Sequence, residues 1–309
     1  MTRRLAVALA VTLAVVPACA TPRVYQKPAM PAPAQWDTPE GWKAATPADR
    51  LSRGSWWTIF HDETLAVLET QALISNATIA GATARYEQAK QLTRQSLAST
   101  LPSVDVSSGL SESRTVSTAG VATTGYTLSL LPSASYEVDL FGKRLSNIDA
   151  ARAAETGAQD DLENVRLVIA SDLAANYFTL RRLDAELAVV SDSIVVLERQ
   201  LGLIRARHDA GAISGLDVAQ QETLLATTRT QQSLLRDQRT GIEHAIAVLA
   251  GQAAAGFRVA PAPLPASVPQ VAADTPVELL ERRPDIASLE RAVDVANAKV
   301  GIARTAFFP

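Results

Sequence analysis

A long run of regularly spaced apolar residues constrains this chain more than any other feature. Seven apolar side chains recur in alternating steps of four and three, a heptad seam held over about three heptads: Leu183, Leu187, Val190, Ile194, Leu197, Leu201 and Ile204. Such a seam predicts a helix that packs lengthwise against another helix. It runs into the segment 207–217, which contains Gly211 and Gly215, and the chain is helical in character again to about Ala250. The sequence therefore predicts a long helical hairpin with a small tip.

The N-terminus has the pattern of an export signal. Arg3 and Arg4 precede an apolar run, Leu5 to Val16, that is too short to span a membrane as a helix. Cys19, the only cysteine, stands where a cleavage site belongs. We expect residues 1–18 to be a lipoprotein signal peptide and Cys19 to be lipidated; ordinary cleavage beside an inert cysteine is the alternative. Residues 19–54 are rich in proline and alanine and predict an extended linker.

Residues 55–101 have a helical pattern. Asp62 is the expected N-cap of a helix that runs from Glu63 to Leu101, where Pro102 ends it. We expect the preceding Trp56 and Trp57 to anchor the chain against the helices.

The period of the pattern changes between Ser103 and Phe141. Even positions become apolar and odd positions polar, which predicts two strands with one apolar and one polar face, joined by a loop over Ser113–Gly125. Residues 102–142 therefore predict an amphipathic β-hairpin of the kind found in outer-membrane barrels, with a soluble two-stranded ribbon as the alternative. Two strands cannot close a barrel, so other strands must complete it.

The second half of the chain returns to a helical pattern. Residues 143–251 predict the helical hairpin, with a first helix from Arg144 to Arg207 of roughly 95 Å and Gly251 as the cap of the second. Residues 252–275 predict a connector, and a last helix is expected to begin near Thr275-Pro276. Residues 76–102 align without a gap with residues 283–309, both ending in proline, which indicates an internal repeat.

Together these segments resemble the outer-membrane efflux factors of the TolC/OprM type, in particular the NodT-like lipoproteins. The matching segments follow in order along the chain: Val24–Pro28, Ser55–Phe60, Leu101–Ser103, Ser135–Gly142, Arg207–Gly211 with Ser214 and Asp217, Glu278–Ile286 and Ala306–Pro309. The resemblance implies a mainly α fold with a membrane β-hairpin: long antiparallel coiled-coil helices of a TolC-like α-barrel, plus two strands of a β-barrel shared by a homotrimer. Residues 55–101 would supply the first tunnel helix. Residues 276–309 would begin a second repeat, so that the chain corresponds to the N-terminal half of the family.

The resemblance also implies a function and a site. In this family the tip of the tunnel docks a periplasmic adaptor, which links the tunnel to an inner-membrane pump. By position, the residues that correspond to the docking motif are Arg207, Gly211, Ser214 and Asp217. Gly211 suits a tight reversal, whereas Arg207 and Asp217 could instead only cap helix ends electrostatically.

The implied function is a passive exit duct held in the outer membrane by the hairpin and by Cys19. The rival interpretation is a non-transporting remnant, a periplasmic helical lipoprotein unable to close a pore. A third interpretation is a periplasmic adaptor lipoprotein, and the amphipathic strands argue against it.

The sequence favours neither catalysis nor nucleic-acid binding. The net charge is −3, and no basic stripe is present. His61, His208 and His244 lie far apart in different predicted elements, and no catalytic or metal motif accompanies them. We therefore expect neither a cofactor nor a metal.

Overall fold

The computed structural model describes residues 55–120, 122–264 and 283–307. A short 3-10 helix, Trp56–Phe60, precedes the regular elements. These are, in chain order, α1 (Glu63–Ser75), α2 (Ala77–Ala98), β1 (Ser103–Val116), β2 (Ala122–Ser135), α3 (Lys143–Asp209), α4 (Gly215–Leu249) and α5 (Pro284–Thr305). Two compact units share them: one holds described residues 84–161 and 284–307, the other 55–83, 162–264 and 283. The predicted signal peptide and linker lie outside the described residues.

The predicted helix from Glu63 to Leu101 is two helices, because Asn76 interrupts it. Asp62 caps α1 as expected, since its Oδ1 accepts the N–H of Leu65 at 3.0 Å. At Asn76 the backbone turns extended, and the side-chain Oδ1 accepts the N–H groups of Thr78 and Ile79 at 2.8 and 3.2 Å. Asn76 is thus an N-cap that begins α2. Its Nδ2 also donates to a carbonyl of the last turn of α4, at 2.9 Å.

The β-hairpin is antiparallel, and its register places even-numbered positions of both strands opposite one another. Leu110 pairs with Leu128 and Val104 with Ala134. The prediction of a hairpin is confirmed, but its bounds were wrong. The strands continue into the Ser/Thr-rich segment assigned to the loop, and β2 ends at Ser135 instead of Phe141. Backbone pairing, which needs no apolar side chain, extends the ladder beyond the alternating pattern.

The predicted helical hairpin is confirmed. Helix α3 has 67 residues and ends at the tip, where the chain turns, and α4 then runs back along it for 35 residues. The seam forms the hydrophobic contact between them, with Leu225 and Leu235 of α4 buried against Leu183, Val190 and Leu201 of α3. Ile204 is the one predicted seam residue outside this cluster. Polar residues share the contact, for example Gln232 Nε2 with Ser191 Oγ at 2.8 Å. Exposed ion pairs, such as Arg229 with Glu198 at 2.7 Å, flank it.

The end of α4 is a Schellman motif, which confirms Gly251 as its cap. Gly251 has φ of 69°, and the N–H groups of Gly251 and Gln252 donate to the carbonyls of Val248 and Ala247. A Cβ on Gly251 would lie 2.3 Å from the carbonyl oxygen of Ser75, so the backbones of α1 and α4 approach each other there.

The helix bounds support the predicted internal repeat. α2 and α5 each have 22 residues and begin and end at aligned positions. Both contact α3: Thr93 Oγ1 of α2 donates to the carbonyl of Ala151 at 3.2 Å, and Ser288 Oγ of α5 donates to Asp161 Oδ1 at 2.5 Å. The predicted helix start at Thr275-Pro276 lies outside the described residues, and α5 begins at Pro284.

No helix in the described part of the chain is long and apolar enough to cross a membrane.

Candidate functional sites: the helical tip and the β-hairpin

The tip turns at Gly211, which closes α3 in a second Schellman motif. The N–H of Gly211 donates to the carbonyl of His208 at 2.8 Å, and that of Ala212 to the carbonyl of Arg207 at 2.9 Å. Gly211 has φ of 75°, a conformation that costs an L-residue about 1–2 kcal/mol. A Cβ there would meet nothing within 4 Å, so the conformation alone makes glycine favourable.

Ser214 and Asp217 begin α4. The N–H and the hydroxyl of Ser214 both donate to Asp217 Oδ2, at 3.0 and 2.8 Å. Ser214 is the N-cap and Asp217 the third helical residue, so the carboxylate occupies the capping-box position and also faces the positive end of the helix dipole. The capping alternative considered for Asp217 is therefore realised in the structure.

The side chain of Arg207 differs from those of Ser214 and Asp217 in having no partner among the described residues. It is exposed, and its guanidinium makes no hydrogen bond or ion pair with any described residue. The nearby Arg205 of α3, by contrast, forms an ion pair with Glu222 of α4 at 2.5 Å. The structure thus brings the four predicted tip residues together in one turn. All four help to shape that turn, Arg207 through its backbone carbonyl, and the Arg207 side chain presents a positive charge that has no partner among the described residues.

The two faces of the β-hairpin differ in chemistry. The even face carries exposed apolar side chains on both strands: Val104, Val106, Leu110, Tyr126, Leu128 and Leu130. The odd face carries mainly hydroxyls and one carboxylate, with Asp105 opposite Ser133 and Ser111 opposite Thr127. An apolar face of this extent is unfavourable in water, because transfer of each such side chain out of water stabilises the protein by about 1.5–3 kcal/mol.

A buried ionic network at the base of the helical hairpin was not predicted from the sequence. Arg181 and Asp184 of α3 meet Arg239 and Glu243 of α4, and Arg239 Nε lies 2.6 Å from Asp184 Oδ1. Burial alone would lower the pKa of Arg239, but the hydrogen bond and charge of Asp184, together with Glu243, outweigh it and raise the pKa. The available signal was the spacing: two charge pairs at i,i+3 and i,i+4 beside seam residues.

Next to this network lies an aromatic and acidic contact that joins α1 to α3. Tyr177, 1% exposed, donates its hydroxyl to Asp62 Oδ2 at 2.5 Å and lies under the guanidinium of Arg181. Burial, followed by the hydrogen bond to Asp62, raises the pKa of Tyr177. Phe60 of the 3-10 helix packs against Phe178 with the rings tilted by 54° and their centroids 4.7 Å apart, so aromatic contacts hold residues 56–60 against α3.

Glu69 of α1 is the other unexpected residue. It is 0% exposed, and neither carboxylate oxygen has a hydrogen-bond partner among the described residues. Burial raises its pKa from 4.5 to about 8. The described residues contain no cluster of histidine, cysteine, aspartate or glutamate that could hold a metal ion.

Comparison with known proteins decides which family has this architecture. Residues 68–252 match the model of the outer membrane efflux protein family, a span from α1 through the β-hairpin and both long helices. The chain belongs to this family. The resemblance to outer-membrane efflux factors found in the sequence is thereby confirmed, and membership of the family places the protein at the outer membrane. The lipoprotein branch remains a prediction.

Individual relatives agree with this assignment. The chain is 32% identical over 287 residues to the pyoverdine export outer membrane protein OpmQ of Pseudomonas aeruginosa, covering 90% of this chain and 60% of that protein. A crystal structure of a membrane protein from Pseudomonas aeruginosa superposes with a TM-score of 0.79 at 26% identity, covering 94% of this chain and 66% of the other. The outer membrane channel CmeC of Campylobacter jejuni has the same fold, with a TM-score of 0.81 at 21% identity over 94% of this chain and 62% of CmeC.

The chain spans about three fifths to two thirds of the length of these family members. The predicted fold class, a mainly α TolC-like fold with a β-hairpin, is confirmed. The roles of the tip residues and the lipidation of Cys19 remain predictions.

Proposed function

We propose that this efflux-family protein contributes to a passive exit duct of a tripartite efflux system. The observation that carries the proposal is the hairpin register, which gives β1 and β2 one predominantly apolar face and one predominantly polar face, with Glu112 and Arg114 near the turn on the first and Leu131 on the second. In an outer-membrane protein, this arrangement suits a barrel wall with lipid on one side and water on the other. Because the energy comes from an inner-membrane pump, the duct itself needs no catalytic group.

The spacing of aromatic residues supports a membrane-spanning role for the hairpin. Tyr126 of β2 and Tyr136, the residue directly after the end of β2, are both exposed and lie ten residues apart. Ten extended residues rise about 33 Å, or roughly 25 Å along the normal at a tilt near 40°, which matches the apolar band between aromatic girdles of outer-membrane barrels.

Closure of a barrel requires strands beyond β1 and β2, because an open sheet edge is not tolerated in hydrocarbon. We propose that a homotrimer supplies them, as the family resemblance implies: each family protomer gives four strands to a shared twelve-stranded barrel, and β1 and β2 correspond to two of these four. In the same arrangement α3 and α4 form part of the periplasmic tunnel wall.

The test of the hairpin compares spin labels on adjacent residues. Leu128→Cys and Thr127→Cys lie on opposite faces, and the protein is reconstituted in phospholipid vesicles. We expect the label at residue 128 to be relaxed mainly by oxygen, which concentrates in lipid, and the label at residue 127 mainly by a water-soluble nickel complex. Equal accessibility of both labels to the nickel complex would contradict a membrane location. Labelling of the unmodified protein measures any reaction at Cys19.

We further propose that the tip docks a periplasmic adaptor and, through it, the inner-membrane pump. The free charge of Arg207 is available for a partner's carboxylate, whereas Gly211, Ser214 and Asp217 hold the turn that presents it. An exposed arginine whose guanidinium has no partner among the described residues keeps its full capacity for bidentate pairing there, which makes it suited to recognition.

Charge reversal at the tip tests this docking role. Arg207→Glu should weaken binding to a purified adaptor from the same organism by about tenfold or more, equivalent to about 1.4 kcal/mol. Arg199→Glu, the same charge change at another exposed position two turns earlier in α3, is the control and should leave binding within about twofold. Equal loss in both variants would mean that only net charge matters, and no loss in either would remove Arg207 from the interface.

We propose that Cys19 carries a lipid that anchors the N-terminus to the outer membrane. The support is its position directly after an apolar signal and its status as the only cysteine. Radiolabelled palmitate should be incorporated into the unmodified protein and not into Cys19→Ser. Labelling of both proteins, or of neither, would contradict the anchor.

A further inference from the structure

The connector after α4 is held in an unusual way. We name residues Phe257–Ala262 the strap. Between residues 258 and 264, no backbone–backbone hydrogen bond is formed with any part of the chain that the structure describes. A backbone segment without such bonds normally satisfies its polar groups with water, yet Val259 is only 5% exposed. Charged side chains take over instead.

Four backbone groups of the strap are bonded by four charged residues of the helical hairpin. The N–H of Val259 donates to Glu243 Oε1 at 2.6 Å, and its carbonyl accepts from Arg239 Nη2 at 2.8 Å. Arg181 Nη1 donates to the carbonyl of Ala260 at 2.7 Å. The N–H of Ala262 donates to Asp184 Oδ2 at 3.2 Å. Two carboxylates thus receive the N–H groups, and two guanidinium groups bind the carbonyls.

The four charged residues also bind one another. Arg181 lies 3.1 Å from Asp184, Asp184 lies 2.6 Å from Arg239, and Arg239 lies 3.3 Å from Glu243. Their side chains are 3%, 4%, 14% and 3% exposed in the order Arg181, Asp184, Arg239, Glu243. Two positive and two negative charges balance, which is the condition under which buried ions are tolerated.

The strap and the helix pair therefore depend on each other. Removal of the strap would leave two carboxylates and two guanidinium groups buried with one hydrogen bond fewer each. Separation of α3 from α4 would in turn remove the acceptors and donors that hold the strap. Asp184 contacts all three segments, because it binds Arg181 on α3, Arg239 on α4 and Ala262 on the strap. Arg239 also does so, through Asp184, Glu243 and Val259.

We propose that the strap and the base of the helical hairpin form a conformational latch, with Asp184 as its positioning residue. While the strap is seated, the α3–α4 base is fixed; when the strap is released, the base loosens, and the reverse coupling is of equal size. The latch operates within the hairpin and its connector, and it holds whether or not the tip docks an adaptor.

Hydrogen exchange of the full protein in detergent tests the latch from both sides. Asp184→Asn removes the central charge, and we expect the amide of Val259 to exchange about tenfold faster or more. Ala262→Pro removes one strap donor without touching the helices. Pro261 and Pro263 flank residue 262, which already restricts it to extended conformations that a proline can adopt. This variant should accelerate exchange in the turns around Asp184 and Arg239.

A matched control and a double variant separate coupling from a general loss of stability. Glu198→Gln removes an ion pair that also crosses from α3 to α4 but touches no strap residue, and it should leave strap exchange within about twofold. The double variant Asp184→Asn with Ala262→Pro should exchange no faster than the faster single variant, because both remove the same latch. The proposal is overturned if Ala262→Pro leaves the helix turns unchanged, or if the two effects multiply. If Asp184→Asn does not fold, the exchange pattern of Ala262→Pro alone decides.

Discussion

Replacement of the buried Glu69 by glutamine should stabilise the protein, and the gain should grow with pH. The side chain is fully buried without a hydrogen-bond partner among the described residues, and burial raises its pKa from 4.5 to about 8. Because the folded-state pKa lies above the unfolded one, the folded state holds the proton more tightly between these values. The contribution of Glu69 to the free energy of unfolding is then most favourable below pH 4.5, becomes less favourable as the pH rises towards 8, and is constant above pH 8.

The size of the effect follows from that interval. Each pH unit is equivalent to about 1.4 kcal/mol, so Glu69 costs about 3 kcal/mol at pH 7, where the folded state keeps it mostly protonated, and up to about 5 kcal/mol above pH 8, where it is ionised. Glutamine has nearly the same shape and does not ionise. Relative to the unmodified protein, Glu69→Gln should therefore gain little at pH 5, about 3 kcal/mol at pH 7 and about 5 kcal/mol at pH 9.

The assay is urea unfolding of the detergent-solubilised protein, followed by helical circular dichroism at these three pH values. Glu87→Gln, at an exposed position on α2, is the control and should change the free energy of unfolding by less than about 0.5 kcal/mol at each pH. A gain that is the same at pH 5 and pH 9 would refute the reasoning, because it would show that the pKa of Glu69 is not raised in the folded state. A loss at pH 9 would also refute it, because it would show that a partner stabilises the carboxylate.

Three further outcomes are expected. Gly251→Ala should cost well over 2 kcal/mol, because strain at positive φ adds to a clash with the facing backbone; Gly211→Ala, with a similar φ and open space, should cost about 1–2 kcal/mol, as measured by thermal unfolding. Equal costs would contradict the close approach. Asn76→Ala should lower the free energy of unfolding by about 1–2 kcal/mol through loss of the N-cap of α2, and Asn76→Ser should recover most of it. Leu128→Lys should cost about 2–4 kcal/mol of hairpin insertion and reduce retention in vesicles, whereas Thr127→Lys should be tolerated; identical behaviour would contradict the assigned faces.

The parts of the fold that repeat along the chain were predictable from sequence. The heptad seam from Leu183 to Leu201 carries its own period and so identified both its helix and a partner. The alternation around Leu110 and Leu128 likewise assigned faces to strands before any register was known. The repeat between residues 76–102 and 283–309 has few identities, yet it predicted that both segments are helices. The structure gives α2 and α5 the same length and aligned bounds.

The features that escaped prediction depend on contacts between distant segments. Asn76 reads locally as one more residue of a helix, and its capping role is fixed partly by a carbonyl of α4. Glu69 occupies a position of the same helical stripe as Leu65 and Ala72, but no local signal shows that its carboxylate lacks a partner. The hydrogen bond that Arg181 donates to the strap goes to the backbone carbonyl of Ala260. Every residue has a backbone carbonyl, so the sequence does not show which one will accept.

The hairpin register has a consequence for how this protein tolerates changes in length. Side chains alternate between faces, so one inserted residue within β1 or β2 would transfer every following side chain to the opposite face. The same insertion in the turn after Val116 changes no pairing. Length variants isolated by random insertion should therefore survive in that turn and be absent from the strands, which makes the turn the natural place for an epitope tag or a reporter.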